Sequence, residues 1–299
     1  MDNRLKLLSY SSLQTLHSCP RKYQLYKLGA AATEDTQEQT ITFSFGHVVG
    51  LGVQLLFQNK TTEEIIFEMF KLWAPDLYDE DVKRCKSFWY AVSAIKKLIA
   101  MKEQGLLDGW ELLYVNGVPA CELGFKILLP DNYSYRGFVD LVLVHRETKK
   151  VMVIECKTLN ARFLNPAQYK NSAQAIGYSI ILDHYFPDLS SYEVTYLVYL
   201  SPQKEWQILS FHKSYLQRAL WLQELLLDKQ TVQMYEDCGV YPMHGESCYD
   251  YFTECKYLGT CTLSTEYLTL VVKDEPEDDS KYLVIVSFED LIKTQLAKA

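Results

Sequence analysis

Asp140, Glu155 and Lys157 are two acids and a base set close together in a stretch rich in strand-forming residues. Residues 135–144 (YRGFVDLVLV) and 151–156 (VMVIEC) are dense in β-branched and aromatic side chains, with the turn-like HRETKK between them. Alternation along a strand puts Glu155 and Lys157 on one face with Val151 and Val153. A hairpin folding about Glu147 and Thr148 sets Asp140 opposite Glu155, close enough for both carboxylates to hold one ion. A one-residue slip would turn Asp140 to the other face. Lone charges on an apolar sheet face are costly unless paired or metal-bound. A hard divalent cation fits oxygen ligands from Asp140 and Glu155, with the Cys156 carbonyl as a third. Lys157 would then orient or deprotonate a metal-activated water and stabilise developing phosphate charge. A structural Glu–Lys pair at a strand end explains the same local pattern, which does not choose between the two.

The next element must carry whatever completes such a site. Asn165-Pro166 reads as a helix start, with a capping residue before proline at the first helical position. Gln174 and Tyr178, four apart, then share a face that can return over the sheet. In the plainer reading Tyr178 is core and Gln174 is surface.

Gly137-Phe138-Val139-Asp140, then Glu155-Cys156-Lys157, then Gln174-x-x-x-Tyr178 resemble the PD-(D/E)XK nuclease signature in its RecB-like form. The resemblance implies a restriction-endonuclease-like α/β core, a mixed central sheet flanked by helices, and metal-dependent hydrolysis of DNA phosphodiesters. It assigns metal ligation to Asp140 and Glu155 and water activation to Lys157. To Gln174 and Tyr178 it assigns DNA or active-site contacts. Magnesium or manganese is the implied catalytic ion. E-x-K alone is weak evidence; the ordered set is stronger.

The frame around these residues is that of an ordinary soluble chain. Its 299 residues can bury a large core in one or two domains. No apolar run is read as membrane-spanning and the N-terminus lacks a secretory segment, so a cytoplasmic protein is expected. The formal charge of −8 argues against a protein that coats DNA but not against a nuclease, whose metals and local cations hold the phosphates. The run DEPEDD at 274–279 supplies five of the acids.

Taken in order, residues 8–28 read as two short helical segments, with Ser9, Ser11 or Ser12 as a cap and Pro20 opening the second. Residues 29–40 are small and polar, so a loop is expected. Residues 43–59 have apolar residues at helical spacing but three glycines, which suits close helix packing or an approach to DNA. The resembling family has G-x-x-x-H here. This chain has Gly46-His47-Val48-Val49-Gly50, so the histidine position is Gly50 and His47 stands three residues early. Residues 61–107 read as two or three helices, a helical insert whose Lys86, Lys96, Lys97 and Lys102 suit a solvated face better than a DNA path. Asn116-Gly117 signals a hairpin, with Glu122 on the strand after it, as a supporting acid or a simply exposed one. Residues 191–200, 205–212 and 213–232 read as strand, strand and amphipathic helix, the first completing a βαβ crossover. Near the end, YLTLVV and KYLVIVSF look like strands and EDLIKTQLAK like a short helix.

Eight cysteines without secretory context point to metal rather than to a disulfide framework. Cys85 and Cys121 are read as small hydrophobes. Cys248, Cys255 and Cys261 lie in an aromatic, loop-like stretch, spaced to wrap one centre, with Cys19 as a fourth thiolate and Cys238 or His244 as alternatives. C-P-R-K-Y at 19–23 and the late cysteines also resemble iron–sulfur members of the RecB-like group, including CRISPR adaptation nucleases and AddB-type subunits. That resemblance implies a structural 4Fe-4S cluster on Cys19, Cys248, Cys255 and Cys261. Zinc is the other candidate, but its usual short C-x(2–4)-C arms are missing. The expected organisation is 1–40 with the first cysteine, 41–110 helical, 111–235 nuclease core, 236–265 cysteine region and 266–299 a C-terminal extension, docked on the core or on a protein partner. The function expected is a metal-dependent exonuclease acting on single-stranded or frayed DNA ends in recombination, replication or repair. A non-catalytic DNA-end-binding or scaffold protein of the same fold is the alternative, and a zinc-stapled interaction protein the third.

Overall fold

The computed structural model describes residues 3–33, 37–73, 85–186, 192–250, 253–271 and 278–296. In chain order these form β1 (Leu7–Ser9), α1 (Tyr10–Ser18), α2 (Pro20–Leu28), α3 (Gln37–Phe57), α4 (Thr62–Leu72) and α5 (Phe88–Glu103). There follow β2 (Trp110–Leu112), β3 (Tyr114–Val115), β4 (Val118–Pro119), β5 (Cys121–Leu128), β6 (Ser134–His145) and β7 (Val151–Leu159). Next come α6 (Ala167–Lys170), α7 (Ala173–Tyr185), β8 (Tyr192–Leu200), β9 (Glu205–Lys213) and α8 (Tyr215–Cys238). The last are β10 (Tyr249–Asp250), β11 (Thr253–Glu254), β12 (Val284–Ser287) and α9 (Phe288–Leu296). The chain makes two compact units, one of Met1–Glu34, Gly124–Gly137 and Ala219–Ala299, the other of Asp35–Leu123 and Phe138–Arg218.

The second unit carries Asp140, Glu155 and Lys157. Its sheet is mixed: β2, β6 and β7 are antiparallel neighbours, β8 runs parallel to β7, and β9 closes antiparallel on β8. The parallel pair demands a crossover, which α6 and α7 supply. Alternation then sorts the strand side chains. Leu141, Leu143, Met152, Ile154, Leu197 and Tyr199 join one apolar core with Phe45, Val48 and Val53 of α3, Ile65 and Met69 of α4 and Ile95 of α5. The Trp206 indole N–H donates to the Ala94 carbonyl at 2.8 Å, fixing β9 to α5. On the opposite face the Tyr169 ring meets Tyr196 edge-on at 4.8 Å, and α7 packs on β7 and β8. The fold is therefore mixed α/β, with a mixed sheet flanked by helices.

Tight packing explains the glycines of α3. A Cβ at Gly52 would stand 2.6 Å from Ile95 Cγ1 and 3.0 Å from Met69 Sδ, whereas one at Gly50 would meet nothing within 4 Å. Gly52→Ala is therefore expected to cost about 1–3 kcal/mol through overpacking. Gly50→Ala is expected to gain up to about 1 kcal/mol through helix propensity. Urea unfolding of the two variants checks this; equal midpoints would contradict the packing account.

In the first unit β1 runs parallel beside the start of β6, and β12 parallel beside the end of β5. Ser9 caps α1 in a reciprocal box with Ser12, choosing among the three serines the sequence offered. Pro20 opens α2, and Gly29 ends it at φ 69°, a left-handed cap that glycine adopts without cost. The Tyr23 hydroxyl donates to the Leu5 carbonyl at 2.8 Å, and Tyr135 packs edge-on against Trp221 at 5.2 Å.

Several sequence expectations change. The loop expected through residue 40 gives way at Gln37, where α3 begins. By length and composition, residues 40–57 of α3 would pass for a membrane span, contrary to the expectation that no run does. Half of that window is buried in the protein, with Phe45, Val48 and Val49 fully enclosed, as in a core helix. YLTLVV forms no strand in its described residues; a short 3-10 turn at Thr265–Tyr267 and an isolated Ala30–Leu270 bridge stand there. The run DEPEDD lies mostly outside the described residues.

Candidate active site

The β6–β7 register pairs Leu141 with Ile154 and Val144 with Val151, as a turn about Glu147 and Thr148 requires. The ladder stops at Leu141. One step beyond, Asp140 Oδ2 accepts the Cys156 backbone N–H at 2.9 Å in place of a strand carbonyl. The hairpin thus opens where its two carboxylates face each other. Glu155 is 1% exposed. Its Oε1 lies 2.6 Å from Lys157 Nζ, while Oε2 is buried with no hydrogen-bond partner. Lys157 Nζ also donates to Gln174 Oε1 at 3.2 Å, and Gln174 Nε2 donates to the Tyr178 hydroxyl at 2.6 Å. Gln174 and Tyr178 thus brace the lysine from α7. That helix starts at Ala173 rather than at Asn165-Pro166, which instead precedes the single turn α6.

Two further residues of this unit bear on the pair. Gln54 of α3 donates to Glu122 Oε1 at 2.7 Å. Glu122 sits at φ 48°, a left-handed conformation that costs a non-glycine residue roughly 1–2 kcal/mol. Gln54 lies 68 residues from its partner and had no sequence signal. Gly46 of α3 approaches Thr158, beside Lys157, and His47 is exposed on α3.

The electrostatics suit a cation. Burial raises the Asp140 carboxyl to about 8, and the Glu155 charge adds to the rise against the Cys156 N–H and Lys157. Burial also raises Glu155, opposed chiefly by Lys157, and the Glu122 charge raises both groups. Burial pushes the Cys156 thiol up, keeping it protonated, so what Cys156 offers an ion is its carbonyl. Two buried carboxyls, both raised, one with an oxygen that has no hydrogen-bond partner, are the donor set a divalent cation would relieve. Among the described residues no three His, Cys, Asp or Glu side chains form a group that could hold one ion.

A raised carboxyl takes up a proton on folding, so the stability it contributes is full below the unfolded value near 4 and is lost as pH rises towards 8. In chelator, the melting temperature is expected to fall between pH 5 and 8 more steeply for the parent than for Asp140→Asn. Magnesium should restore it at pH 8 more than at pH 5. Parallel profiles for the two proteins would contradict the assignment.

The cysteines belong to the first unit. The Cys261 thiol is raised by burial first and then by the Cys19, Cys248 and Cys255 sulfurs, so the four share one neighbourhood. The Cys255 N–H donates to the Cys248 carbonyl at 2.8 Å, and Arg21 Nε donates to the Cys261 carbonyl at 3.0 Å. Cys255 and Cys261 pack against Leu25, Ala30 and Tyr257. Among the described residues the thiols do not form a group of three or more set to hold a metal ion. Of the alternatives, His244 stands beside these cysteines, its Nδ1 2.9 Å from the Ser18 carbonyl and its carbonyl 4.0 Å from Cys248 Sγ, while Cys238 is exposed at the end of α8.

Hairpin, E-x-K and Q-x-x-x-Y geometry converge on one class of protein, and the comparisons agree. Residues 7–262 match the model of the PD-(D/E)XK nuclease superfamily, and the chain belongs to that superfamily. Its fold is similar to that of a provisionally named exonuclease from Eubacterium rectale, with TM-score 0.50, 11% identity and coverage of 82% of this chain and 86% of that one. A weaker likeness, to the crystal structure of SSO0001, has TM-score 0.32 at 13% identity, covering 75% of this chain and 95% of that one. No curated protein matches the sequence.

Proposed function

We propose that the chain is a divalent-metal-dependent deoxyribonuclease that removes nucleotides from single-stranded or frayed DNA ends. The observation that carries this is the buried, unpartnered Glu155 Oε2 beside the proton-retaining Asp140 and within reach of Lys157. Asp140 and Glu155, with the Cys156 carbonyl, would hold magnesium or manganese, which supplies Lewis acidity and an activated water. Lys157 Nζ, held between Glu155 and Gln174, places a positive charge where a phosphorane-like transition state becomes negative. The Gln174–Tyr178 pair fixes the lysine rotamer and keeps its head aimed at the carboxylates. A role in recombination, replication or repair and a cytoplasmic location are part of this proposal.

The test is degradation of 5′- and 3′-labelled single- and double-stranded DNA with magnesium or manganese. Stepwise shortening from one end supports the reading, and the label identifies that end. Cuts scattered along the strand, or loss of RNA alone, would overturn its exonuclease or DNA part. One observation favours a second reading, an end-binding protein that does not cleave: Gly50, with open space around it, stands where the resembling nucleases carry histidine. Tight binding of DNA ends without cleavage, and cleavage gained in Gly50→His, would establish it.

We further propose that Cys19, Cys248, Cys255 and Cys261 hold a structural 4Fe-4S cluster. The four sulfurs' shared neighbourhood and the Arg21 guanidinium beside them support it. Anaerobically purified parent should contain four irons per chain by this reading, and Cys255→Ala should lose them and melt lower. Zinc in place of iron, or full iron with unchanged melting in the variant, would remove the proposal.

A further inference from the structure

The segment between the two halves of the site is held at both ends and bare in the middle. At its start the Leu159 carbonyl accepts the Ser201 N–H at 2.9 Å. At its end Lys213 Nζ donates to the Lys170 carbonyl at 2.6 Å, and Gln217 Nε2 donates to Asn171 Oδ1 at 3.1 Å. Tyr169 is buried against Tyr196. Lys213, fully enclosed, gives up solvation to hold this end, and burial draws its ammonium down to about 8. Between the anchors Phe163 is 84% exposed, the highest value for an aromatic side chain among the described residues, and Arg162 beside it is exposed too.

The local charge names the occupant. The chain has 38 acids and a formal charge of −8, yet residues 156–182 contain none, while Lys157, Arg162 and Lys170 supply three cations. An exposed ring next in sequence to an exposed arginine, in an acid-free arch joining Lys157 to Gln174, matches what an unpaired strand offers: π-faces and phosphates. A duplex offers the same phosphates but keeps all except its terminal base faces stacked.

Resting on the nuclease reading above, we propose that Phe163, with Arg162 beside it, is a stacking platform for an unpaired base of single-stranded DNA next to the scissile phosphate. Phe163 is a positioning residue, since it holds substrate rather than reacting with it. Base stacking on an aromatic side chain sets the scale, and the phosphate contact of Arg162 makes binding salt-dependent.

The experiment measures binding of a fluorescent dT20 and of an abasic strand of the same length in chelator, so that cleavage plays no part. Phe163→Ala should bind dT20 about 5- to 50-fold more weakly. It should bind the abasic strand as the parent does, and Phe163→Trp should restore dT20 binding. Phe67→Ala, which removes another exposed ring of the same unit, should change nothing. In magnesium, Phe163→Ala should raise KM for single strands with kcat little changed. Equal binding of dT20 by parent and Phe163→Ala, or equal loss on dT20 and the abasic strand, would overturn the stacking role while leaving the nuclease reading intact. A parent that binds neither strand would overturn both. Unchanged DNA binding with loss of a protein contact in Phe163→Ala would assign the arch to a protein partner instead.

Discussion

Glu155→Gln is expected to lower cleavage by at least about 10²–10³-fold while raising the melting temperature of the metal-free protein at pH 8. The two effects share a cause. Burial, helped by the Glu122 charge, disfavours the Glu155 carboxylate by more than Lys157 and Gln174 favour it, so the group is raised on balance. A neutral amide of the same shape keeps an acceptor for Lys157 and removes the charge that helps hold Asp140 protonated. Each kcal/mol so relieved is worth about 2–4 °C in a chain of roughly this size. Function and stability should therefore move in opposite directions, as they do where a site keeps charges for chemistry rather than for folding. Thermal melts beside a cleavage assay decide the matter. A Glu155→Gln protein that melts lower and still cleaves would make Glu155–Lys157 a structural ion pair, the plainer reading of the sequence.

The second large effect lies away from the chemistry. Asp183 and Arg218 are both fully enclosed, with Arg218 Nε 3.7 Å from Asp183 Oδ2. The Tyr192 hydroxyl donates to Asp183 Oδ1 at 3.0 Å, and its ring centre lies 4.9 Å from the Arg218 guanidinium carbon. Arg218 Nη1 donates to the Lys213 carbonyl at 2.7 Å. Burial draws Arg218 down even against the Asp183 charge, so desolvation outweighs attraction here. Asp183→Ala is expected to cost about 3–5 kcal/mol, because it strands a buried guanidinium. The double variant Asp183→Leu with Arg218→Met should regain most of that loss. Urea unfolding in a double-mutant cycle measures it. Additive losses in the two single variants and no recovery in the double would show that the two charges act independently. Since Arg218 steadies Lys213, which anchors the Phe163 arch, Asp183→Ala should also loosen the arch, read as faster amide exchange at Lys170.

The hairpin was legible because period-two alternation and a turn centre fix register, and the observed pairs from Val144–Val151 to Leu141–Ile154 keep that register up to the step before Asp140 and Glu155. Gln174 and Tyr178 were legible as a pair four apart, although their helix starts later than Asn165-Pro166 announced. The capping signal was used, with Asn165 Oδ1 accepting the Ala167 N–H, but Asn171 ends that single turn. Packing of Tyr169 on Tyr196, which local sequence does not encode, sets the break. Gln54–Glu122 and Asp183–Arg218 depend on which elements neighbour one another, so no spacing rule reaches them. YLTLVV misled for a related reason: strand propensity describes a fit to a half-buried pleated surface. Its Tyr267, Leu270 and Val271 are exposed instead. The three glycines of α3 argued against a helix by propensity, and the close approach of Ile95 to Gly52 shows why the helix keeps at least that one.

The most direct measurement is cleavage of end-labelled single-stranded DNA by the parent protein beside Lys157→Ala, in magnesium, manganese and chelator. Lys157 is half-exposed at the edge of the pair, and a thermal melt and a DNA-binding measurement beside the cleavage assay separate loss of chemistry from loss of fold or binding. The account predicts metal-dependent cleavage by the parent, none in chelator, and a loss of about 10²-fold or more in Lys157→Ala, with binding retained. Undiminished cleavage by Lys157→Ala, or cleavage by the parent in chelator, would contradict it.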